Sequence, residues 1–464
     1  MNKEYRIETD SLGEIKVEQS KLWGAQTERS LHNFKIGTEK MPIEVIKALI
    51  LIKQCAAEVN MELKVLDSNI ANPIIDTAKQ LLSWDNCTLR KHFPLKVWQT
   101  GSGTQTNMNV NEVISNLANM NLGYKLGAKN PVHPNDHVNM SQSSNDSFPT
   151  AMHISTVIEI EKSLLPSLKL LADILEKKSL QWNDIIKIGR THMQDATPIT
   201  LGQEFSAYHI QIQHNIERLG ENMKYLHQLA QGGTAVGTGI NAHKNFGNIF
   251  ADKISKVTGL PFVTAKNKFY VIAAKDAFVA LSGILNTVAA TVMKIANDIR
   301  LLGSGPRCGI GELILPVNEP GSSIMPGKVN PTQCESITMV CAHIIGNTLS
   351  STIGGFSGHL ELNTFKPLII YNTLQSINLL STSIKTFVEK CLINLLPNTN
   401  RIQEITSNSL MLVTALNPYI GYDNSAKIAK CAHENNISLK QAAITLNILT
   451  SEEFDKYVNL DKMV

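Results

Sequence analysis

Residues 151–175 read AMHISTVIEIEKSLLPSLKLLADIL, and this stretch decides the class of fold. Its apolar side chains recur every three or four residues, which is the spacing of one face of an α-helix. Pro166 has no backbone N–H, so we expect the helix to kink or to begin again there. The residues that fit the helical period are Ile154, Val157, Ile158, Leu164, Leu165, Leu168, Leu171 and Leu175.

The same spacing continues outward on both sides. It predicts helical segments at 43–83, 201–230, 270–302, 331–353 and 363–391. Few runs alternate with period two, so no extensive sheet is expected. The uncharged run Ala277–Met293 is short for a membrane span and is interrupted by polar residues, so it suits a helix inside a bundle. We therefore predict a mostly α fold with a central bundle of long helices.

The length and the loop signals predict how the chain is divided. A chain of 464 residues corresponds to about three domains. Residues 131–149 are rich in Pro, Asn, Asp and Ser and are predicted to be loop-like, and Leu395–Asn398 resembles a boundary. The predicted domains are a mostly helical N-terminal domain at 1–140, a central long-helix bundle at 141–396 and a small helical C-terminal domain at 397–464.

Composition argues against several classes of partner. Apolar residues make up 43% of the chain and the net charge is +3, which gives no strong field for nucleic acid or a membrane surface. The segment Met1–Ile15 has no apolar core of a secretory signal. Seven dispersed cysteines without a CxxC pair suit reduced thiols. We expect a cytoplasmic protein with no nucleic-acid or membrane partner.

Two polar loops in the first third of the chain are candidate binding segments. Residues 100–107, TGSGTQTN, combine hydroxyls and an amide with bare glycine backbone, which suits a small anion, although a flexible turn has the same composition. No GK[ST] follows, so this is not a phosphate loop. The second loop runs from His133 to Asp146. A metal site at His133, Asp136 and His137 is one alternative there, and helix capping by Asn145 or Asp146 is the other.

Two further loops carry the residue types of acid–base chemistry. His192 is flanked by Thr191, Gln194 and Asp195 before a predicted long helix, so it is either a structural histidine or a proton-transfer group. Residues 321–331, GSSIMPGKVNP, place two hydroxyls and a lysine beside a helix start, with Asn330 as the predicted cap and Pro331 in the first turn. That arrangement is typical of a carboxylate-binding site.

The loop 321–331 resembles the GSSxMPxKxNP motif of the fumarase/aspartase superfamily, which is highly specific. Other segments resemble class II fumarases in order and spacing, so the resemblance covers essentially the whole chain. They are 102–111, 133–145, 189–204, 232–238, 303–311, 361–363 and 416–418. Aspartases differ from this chain at His192 and at Ser143–Asn145. The resemblance implies a three-domain fumarase/aspartase-like fold that tetramerises through the central bundle.

The resemblance also implies an activity, which is the reversible addition of water to fumarate to give (S)-malate in the citric acid cycle, without a metal or another cofactor. Ser322 is similar to the catalytic base, and His192, with Glu335 as its partner, resembles the group on the acid and water side. Each active site would draw segments from three chains of a homotetramer. The implied substrate-binding residues are Ser102, Gly103, Thr104, Ser143, Ser144, Asn145, Thr191, Ser323, Lys328, Val329 and Asn330, and the implied second anion site is His133, Pro134, Asn135 and Asp136.

The chemistry explains why such residues are needed. Removing a proton beside a carboxylate is feasible only if the resulting aci-carboxylate is surrounded by donors, which Lys328 and Asn330 supply. Ser322 must act as an alkoxide, which N–H groups and positive charge stabilise. Two departures from the family pattern are Met140 in place of Lys and Val317 in place of Glu. The alternatives are an ammonia-lyase acting on aspartate and a structural protein that kept the fold without the activity.

Overall fold

Helices dominate the structure, which is a computed structural model describing residues 4–464. The α-helices are α1 Ala25–Asn33, α2 Ile43–Glu62, α3 Ser68–Ser83, α4 Asn86–Arg90, α5 Thr104–Asn121, α6 Ser144–Glu159, α7 Leu165–Gln181, α8 Leu201–Leu226, α9 Phe246–Thr258, α10 Lys268–Ala273, α11 Asp276–Leu302, α12 Thr332–Phe356, α13 Lys366–Phe387, α14 Thr399–Asn408, α15 Asn417–Ile420, α16 Tyr422–Asn435, α17 Leu439–Thr445 and α18 Ser451–Tyr457. The predicted mostly α fold is confirmed.

The strands of the described residues form four small sheets of two strands each. Three of these sheets are antiparallel, and the sheet formed by Gln228–Leu229 and Val263–Thr264 is parallel. The strands are β1 Tyr5–Asp10, β2 Gly13–Glu18, β3 Ile186–Thr191, β4 Gln194–Thr200, β5 Gln228–Leu229, β6 Val263–Thr264, β7 Leu313–Ile314 and β8 Leu396–Pro397, and the pairs are β1–β2, β3–β4, β5–β6 and β7–β8.

Several predicted helix boundaries are corrected. The segment 43–83 is two helices, because residues 63–67 turn the chain between α2 and α3. The stretch predicted as loop up to residue 149 ends at Ser143, since a strong cap starts α6 there and Pro149 is accommodated inside the helix. The predicted interruption near Pro166 is confirmed: Ile160–Leu164 is a π-helical turn, and α7 follows from Leu165.

The chain divides into two compact units whose segments alternate along the sequence. The first unit extends to Leu165 and includes Glu217–Thr287 and Ala342–Leu380, and the second comprises Pro166–Ile216, Val288–Cys341 and Ser381–Val464. The boundaries fall within or at the ends of long helices. The three domains proposed from the sequence stay a prediction.

Each unit has its own buried apolar residues. In the first unit, α2 is buried over most of its length and contacts α3, α5, α6 and α9. In the second, Ile188 of β3 belongs to a cluster formed mainly by the C-terminal helices, including Leu416 and Ile428. This packing places the β3–β4 hairpin on a rigid base, because Ile188 is fully buried.

One helix of the described residues, α11, has the length and hydropathy of a membrane span. Its residues Phe278, Leu281, Leu285 and Val288 are nevertheless buried within the chain at helical spacing. A helix with one buried stripe is typical of a bundle. The interpretation of 277–293 as a bundle helix therefore agrees with the structure.

Candidate active site

The segment Ser102–Thr104 forms a tight turn at the start of α5. Gly103 has a φ of +79°, in the left-handed region, and a Cβ at this position would lie 2.3 Å from the Phe148 ring. The hydroxyls of Ser102 and Thr104 are 2.8 Å apart. Because α5 begins at Thr104, both hydroxyls lie at a helix N-terminus, where free backbone N–H groups favour an anion.

The segment Ser143–Asn145 starts α6. Ser143 caps the helix by accepting a hydrogen bond from the Asn145 N–H at 3.2 Å, and Asp146 accepts from the Ser143 N–H at 2.9 Å, which completes a capping box. The predicted cap at Asn145 or Asp146 is thus wrong. Ser143 is the residue with extended backbone immediately before the helix, and Asp146 closes the box from its first turn.

Asp146 also attaches a glycine-rich loop to the start of α6. Its Oδ2 accepts from the N–H groups of Gly232 at 3.0 Å and Thr234 at 2.8 Å, while the Asn145 amide donates to the Ala235 carbonyl at 2.9 Å. Burial raises the pKa of Asp146 to about 6, although the backbone N–H donors oppose this shift. The carboxylate organises the loop from inside the protein.

A buried lysine behind α6 was not predicted from the sequence. Lys53 is fully buried and donates to Asn139 Oδ1 at 3.0 Å and to Gln142 Oε1 at 2.9 Å. Burial lowers the pKa of Lys53 to about 7. The available signal was its register, because Lys53 continues the buried helical stripe that includes Ile46 and Leu49.

Thr191 and His192 lie at the tip of the β3–β4 hairpin, where the sequence suggested a loop. Thr191 pairs with Gln194, so His192 and Met193 form a two-residue turn. Their φ angles are +55° and +61°, as a type I′ turn requires. The side chains of Thr191, His192 and Met193 are exposed. The hairpin presents the histidine away from the chain's own core.

Buried charges support this hairpin. Lys187, which is 1% exposed, lies 2.8 Å from Glu204 Oε2 and 2.9 Å from Glu312 Oε2. Arg190 lies 2.7 Å from Glu312 Oε1, whose side chain is fully buried. Two cations and two carboxylates therefore compensate one another at the base of the hairpin. Glu312 was not predicted, because its partners are more than 100 residues away.

The loop Gly321–Asn330 closes on itself. The Gly321 N–H donates to the Lys328 carbonyl at 3.1 Å, and the Asn330 amide donates to the Gly321 carbonyl. The predicted capping role of Asn330 is therefore wrong, because its side chain closes the loop instead. The first α12 hydrogen bond runs from the Glu335 N–H to the Pro331 carbonyl at 3.0 Å.

Ser322 lies inside this loop with its oxygen surrounded by backbone donors. Ser322 Oγ accepts from the N–H groups of Ile324 at 3.2 Å and Met325 at 3.0 Å. Two such donors stabilise negative charge on the oxygen, which favours loss of the hydroxyl proton. The geometry suits a serine that must act as a base.

Most of the chemistry-bearing residues of the second unit are exposed. Ser323, Lys328, Val329, Glu335 and His192 all lie on the surface of the chain. Within residues 4–464, His192 and Glu335 form no ion pair with each other. The structure thus brings Ser102 together with Thr104 and orders Ser143–Asn145 at one helix start, but it does not pair the predicted acid with its partner.

Comparison with known proteins identifies the family. A model of the lyase family matches residues 13–346, and a model of the fumarase C C-terminus matches residues 412–464. The chain is 59% identical over 462 residues to the fumarate hydratase class II of Rickettsia felis, covering 100% of each chain. The chain belongs to the class II fumarate hydratase family.

Further relatives agree over the full length. The mitochondrial fumarate hydratase of Rattus norvegicus is 58% identical, with 99% of this chain and 90% of the relative covered. The crystal structure of the recombinant class II fumarase from Schistosoma mansoni matches with a TM-score of 0.96 and 44% identity, covering 99% of both chains. The members of this family are hydro-lyases, and the chain has the fold of the class II fumarase structure.

The departure at Met140 is understandable in the fumarase fold. Its backbone carbonyl accepts from the Asn60 amide at 3.0 Å and the Gln142 amide at 3.1 Å, so the backbone holds the segment whatever the side chain. The buried Lys53 also contacts this segment, because its nitrogen donates to Gln142 Oε1 at 2.9 Å. At the second departure, Val317 is 71% exposed, and nothing in the structure explains that substitution.

The predicted second anion site is a short π-helical turn, Pro134–Val138. His133 Nδ1 accepts from the N–H groups of Asn135 at 3.2 Å and Asp136 at 3.1 Å, and burial lowers the pKa of His133. Both features favour the neutral ring, whereas the Asp136 carboxylate, 3.3 Å from the same nitrogen, opposes the shift. In residues 4–464, no three His, Cys, Asp or Glu side chains are grouped to hold a metal ion, so the alternative metal site at His133, Asp136 and His137 has no structural support.

Proposed function

We propose that this chain catalyses the reversible anti addition of water to fumarate, giving (S)-malate through an aci-carboxylate intermediate. The observation that carries the proposal is the position of Ser322, whose oxygen accepts two backbone N–H groups within the Gly321–Asn330 loop. In a family of hydro-lyases, a serine so placed is suited to remove the proton beside the malate carboxylate. The reaction belongs to the citric acid cycle.

The opposite face of the substrate needs a proton donor, because hydroxide leaves as water. We assign this role to His192 with Glu335 as its partner, acting through a bound water. The β3–β4 hairpin supports the assignment, since it exposes the histidine at its tip while buried ion pairs hold its strands in place. The assignment gives the acid and the base to different segments, which is compatible with anti elimination, because that reaction needs them on opposite faces of the substrate.

The substrate carboxylates are assigned to the two helix starts and the two exposed loops. Ser102 and Thr104 at α5 and Ser143, Ser144 and Asn145 at α6 supply donors at helix N-termini. Thr191, Lys328 and Asn330 complete the set, with Gly103, Ser323 and Val329 beside them. Their donors favour a small dicarboxylate. His133–Asp136 is proposed as a separate anion site on the surface.

We further propose a homotetramer whose active sites each combine residues of three chains. Large apolar side chains on α12 are exposed at helical spacing, including Leu349 at 64% and Phe356 at 72%. Such a stripe is typical of an oligomer interface. The exposure of the His192 and Ser322 segments supports sites completed by neighbouring chains. A cytoplasmic location stays a prediction, and relatives include mitochondrial enzymes.

An absorbance assay of the fumarate double bond tests the proposed reaction. Purified protein should interconvert malate and fumarate, and the activity should survive EDTA. Ser322→Ala should remove most turnover without unfolding the protein, and His192→Asn should lower it by roughly 10²-fold or more. Near-full activity of Ser322→Ala would refute the base assignment. Ammonia release from aspartate, measured in parallel, would instead identify an ammonia-lyase.

A further inference from the structure

A chain of hydrogen bonds in the first unit begins at the buried Lys53 and ends at Ser144. The Lys53 ammonium contacts Asn139 Oδ1 at 3.0 Å. The same oxygen accepts from the Asn107 amide at 3.1 Å, and the Asn107 amide also donates to Ser144 Oγ at 2.9 Å. Four residues from three helices and one loop are thus linked in series.

The direction of every hydrogen bond in this series follows from its first member. When Lys53 is protonated its nitrogen has only donors, so Asn139 must turn its oxygen toward Lys53. The Asn139 nitrogen donates in turn to the Gln142 carbonyl at 3.1 Å, which fixes the same orientation. Asn107 must then present its NH₂ group, and one hydrogen reaches Asn139 while the other reaches Ser144.

This direction has a consequence for Ser144. Because Ser144 Oγ accepts from Asn107, its own hydrogen is left to donate to a different group. Ser144 is partly exposed and is the first residue of α6, where the helix end also favours negative charge. A hydroxyl that donates at a helix N-terminus suits an acceptor such as a carboxylate.

We propose that Lys53 is a positioning residue for substrate binding, which acts through Asn139 and Asn107 to hold Ser144 as a hydrogen-bond donor toward a substrate carboxylate. The proposal rests on the proposed function, in that it takes a C4 dicarboxylate as the ligand of Ser144. Lys53 itself is fully buried, and the hydrogen bonds that connect it to Ser144 run through Asn139 and Asn107.

A double-mutant cycle tests whether Lys53 acts through Ser144. The variants are Lys53→Met, Ser144→Ala and their combination, each as the full-length oligomer. The probe is succinate, a C4 dicarboxylate that cannot be dehydrated, and its Kd is measured by calorimetry. Each single change should raise the Kd by about tenfold, the scale of one hydrogen bond to a charged group. The double variant should bind within about twofold of Ser144→Ala, because the two changes remove the same interaction.

Kinetics supply a second readout. An interaction made equally in the ground and transition states affects KM rather than kcat. Lys53→Met should therefore raise the KM for malate by about tenfold and leave kcat within about threefold. The matched control is Lys253→Met. Lys253 lies 3.4 Å from Glu58, which is on α2 as Lys53 is, but Lys253 is outside the hydrogen-bond series. It should change neither value.

The results that overturn the proposal are specific. The proposal is refuted if the fold-changes in Kd of Lys53→Met and Ser144→Ala multiply in the double variant. It is also refuted if Lys53→Met binds succinate as the wild type does, or if the wild type does not bind succinate. If Lys53→Met does not fold, Asn139→Asp and Asn139→Leu decide. Asn139→Asp keeps an acceptor for Lys53 and Asn107, so its Kd for succinate should stay within about threefold of the wild-type value. Asn139→Leu removes the acceptor and should raise that Kd by about tenfold. Equal Kd values for the two variants would refute the proposal. A wild type that binds succinate without converting malate would refute the proposed function alone.

Discussion

At the residue scale, the buried His153 makes stability depend on pH. Its Nδ1 lies 2.8 Å from the Leu226 carbonyl, which can only accept, so Nδ1 carries a hydrogen and donates it. The ring also makes an edge contact with Phe278 at a centroid distance of 4.9 Å. The pKa of His153 is lowered to about 4, mainly by burial; Lys275 and His227 act in the same direction, and the hydrogen bond to Leu226 opposes them.

The sign of the pH effect follows from this lowered pKa. An unfolded histidine takes up its proton near pH 6.5, whereas the folded one remains neutral to about pH 4. Stability contributed by the neutral ring is therefore complete above pH 6.5 and is lost as the pH falls to about 4. The loss amounts to about 3 kcal/mol for such a difference in pKa.

We predict that His153→Gln, which keeps an N–H donor but cannot titrate, is less sensitive to acid than the wild type. Calorimetric Tm values are compared between pH 7 and pH 4.5. The variant should have the lower Tm at pH 7, because the packing against Phe278 is lost, and the gap should narrow as the pH falls. A constant gap across this range would contradict the assignment of acid sensitivity to His153.

At the element scale, the start of α6 depends on one carboxylate. Asp146 accepts hydrogen bonds from the N–H groups of Ser143, Gly232 and Thr234, all within the first unit. We predict that Asp146→Ala lowers the free energy of unfolding by about 3 kcal/mol or more, because buried donors left without partners cost about 1 kcal/mol or more each. Urea titration measures the change.

The matched control is Asp85→Ala. Asp85 also caps a helix, accepting from the Thr88 N–H at 3.0 Å, but it is exposed. Its loss should cost only about 1 kcal/mol, because water satisfies the freed donor. Hydrogen exchange at the Thr234 amide should accelerate in Asp146→Ala and remain unchanged in Asp85→Ala. Equal costs for the two variants would mean that the cap alone, and not the loop attachment, is important.

The sequence predicts elements whose stability is encoded locally. The period of Leu168, Leu171 and Leu175 predicts α7, because a helix buries side chains three and four residues apart. The loop 321–331 can also be singled out from the sequence as a candidate carboxylate-binding segment, since its glycines, hydroxyls and lysine lie within eleven residues. Family resemblance, rather than spacing, assigned roles to Ser322 and His192.

Elements that depend on distant partners could not be predicted in this way. The β3–β4 hairpin has only a short alternating pattern, and its turn residues His192 and Met193 are not those that favour a two-residue turn. The register of Lys53 places it on the buried side of α2, but its partner Asn139, 86 residues later, is not evident from the sequence. A single sequence does not show which distant polar residues become buried together.

At the scale of the whole molecule, the proposed sharing of sites between chains predicts complementation. Ser322→Ala and His192→Asn should each give a nearly inactive oligomer. When the two are unfolded together in equal amounts and refolded, a site works only if it takes its serine from the histidine variant and its histidine from the serine variant. Random assembly satisfies both conditions at about one site in four, so about a quarter of wild-type activity should return in a closed oligomer.

The control pairs Ser322→Ala with Lys328→Ala. Both residues lie in the loop Gly321–Asn330, which any site takes from a single chain. Every site of this mixture carries one defect, so its activity should stay at the level of the separate variants. If the first mixture also regains nothing while the wild type refolds well, then Ser322 and His192 act within one chain and the shared site is refuted.

The proposed role of His192 puts catalytic turnover and heat resistance in conflict at the hairpin tip. His192 and Met193 both adopt left-handed backbone conformations, which cost a residue with a side chain about 1–2 kcal/mol each. Asn followed by Gly adopts the same turn with far less strain. Selection for heat resistance alone would therefore favour Asn-Gly at the tip and discard the imidazole. Any thermostabilised lineage of this enzyme that still hydrates fumarate has to gain its resistance elsewhere and tolerate the strain at position 192.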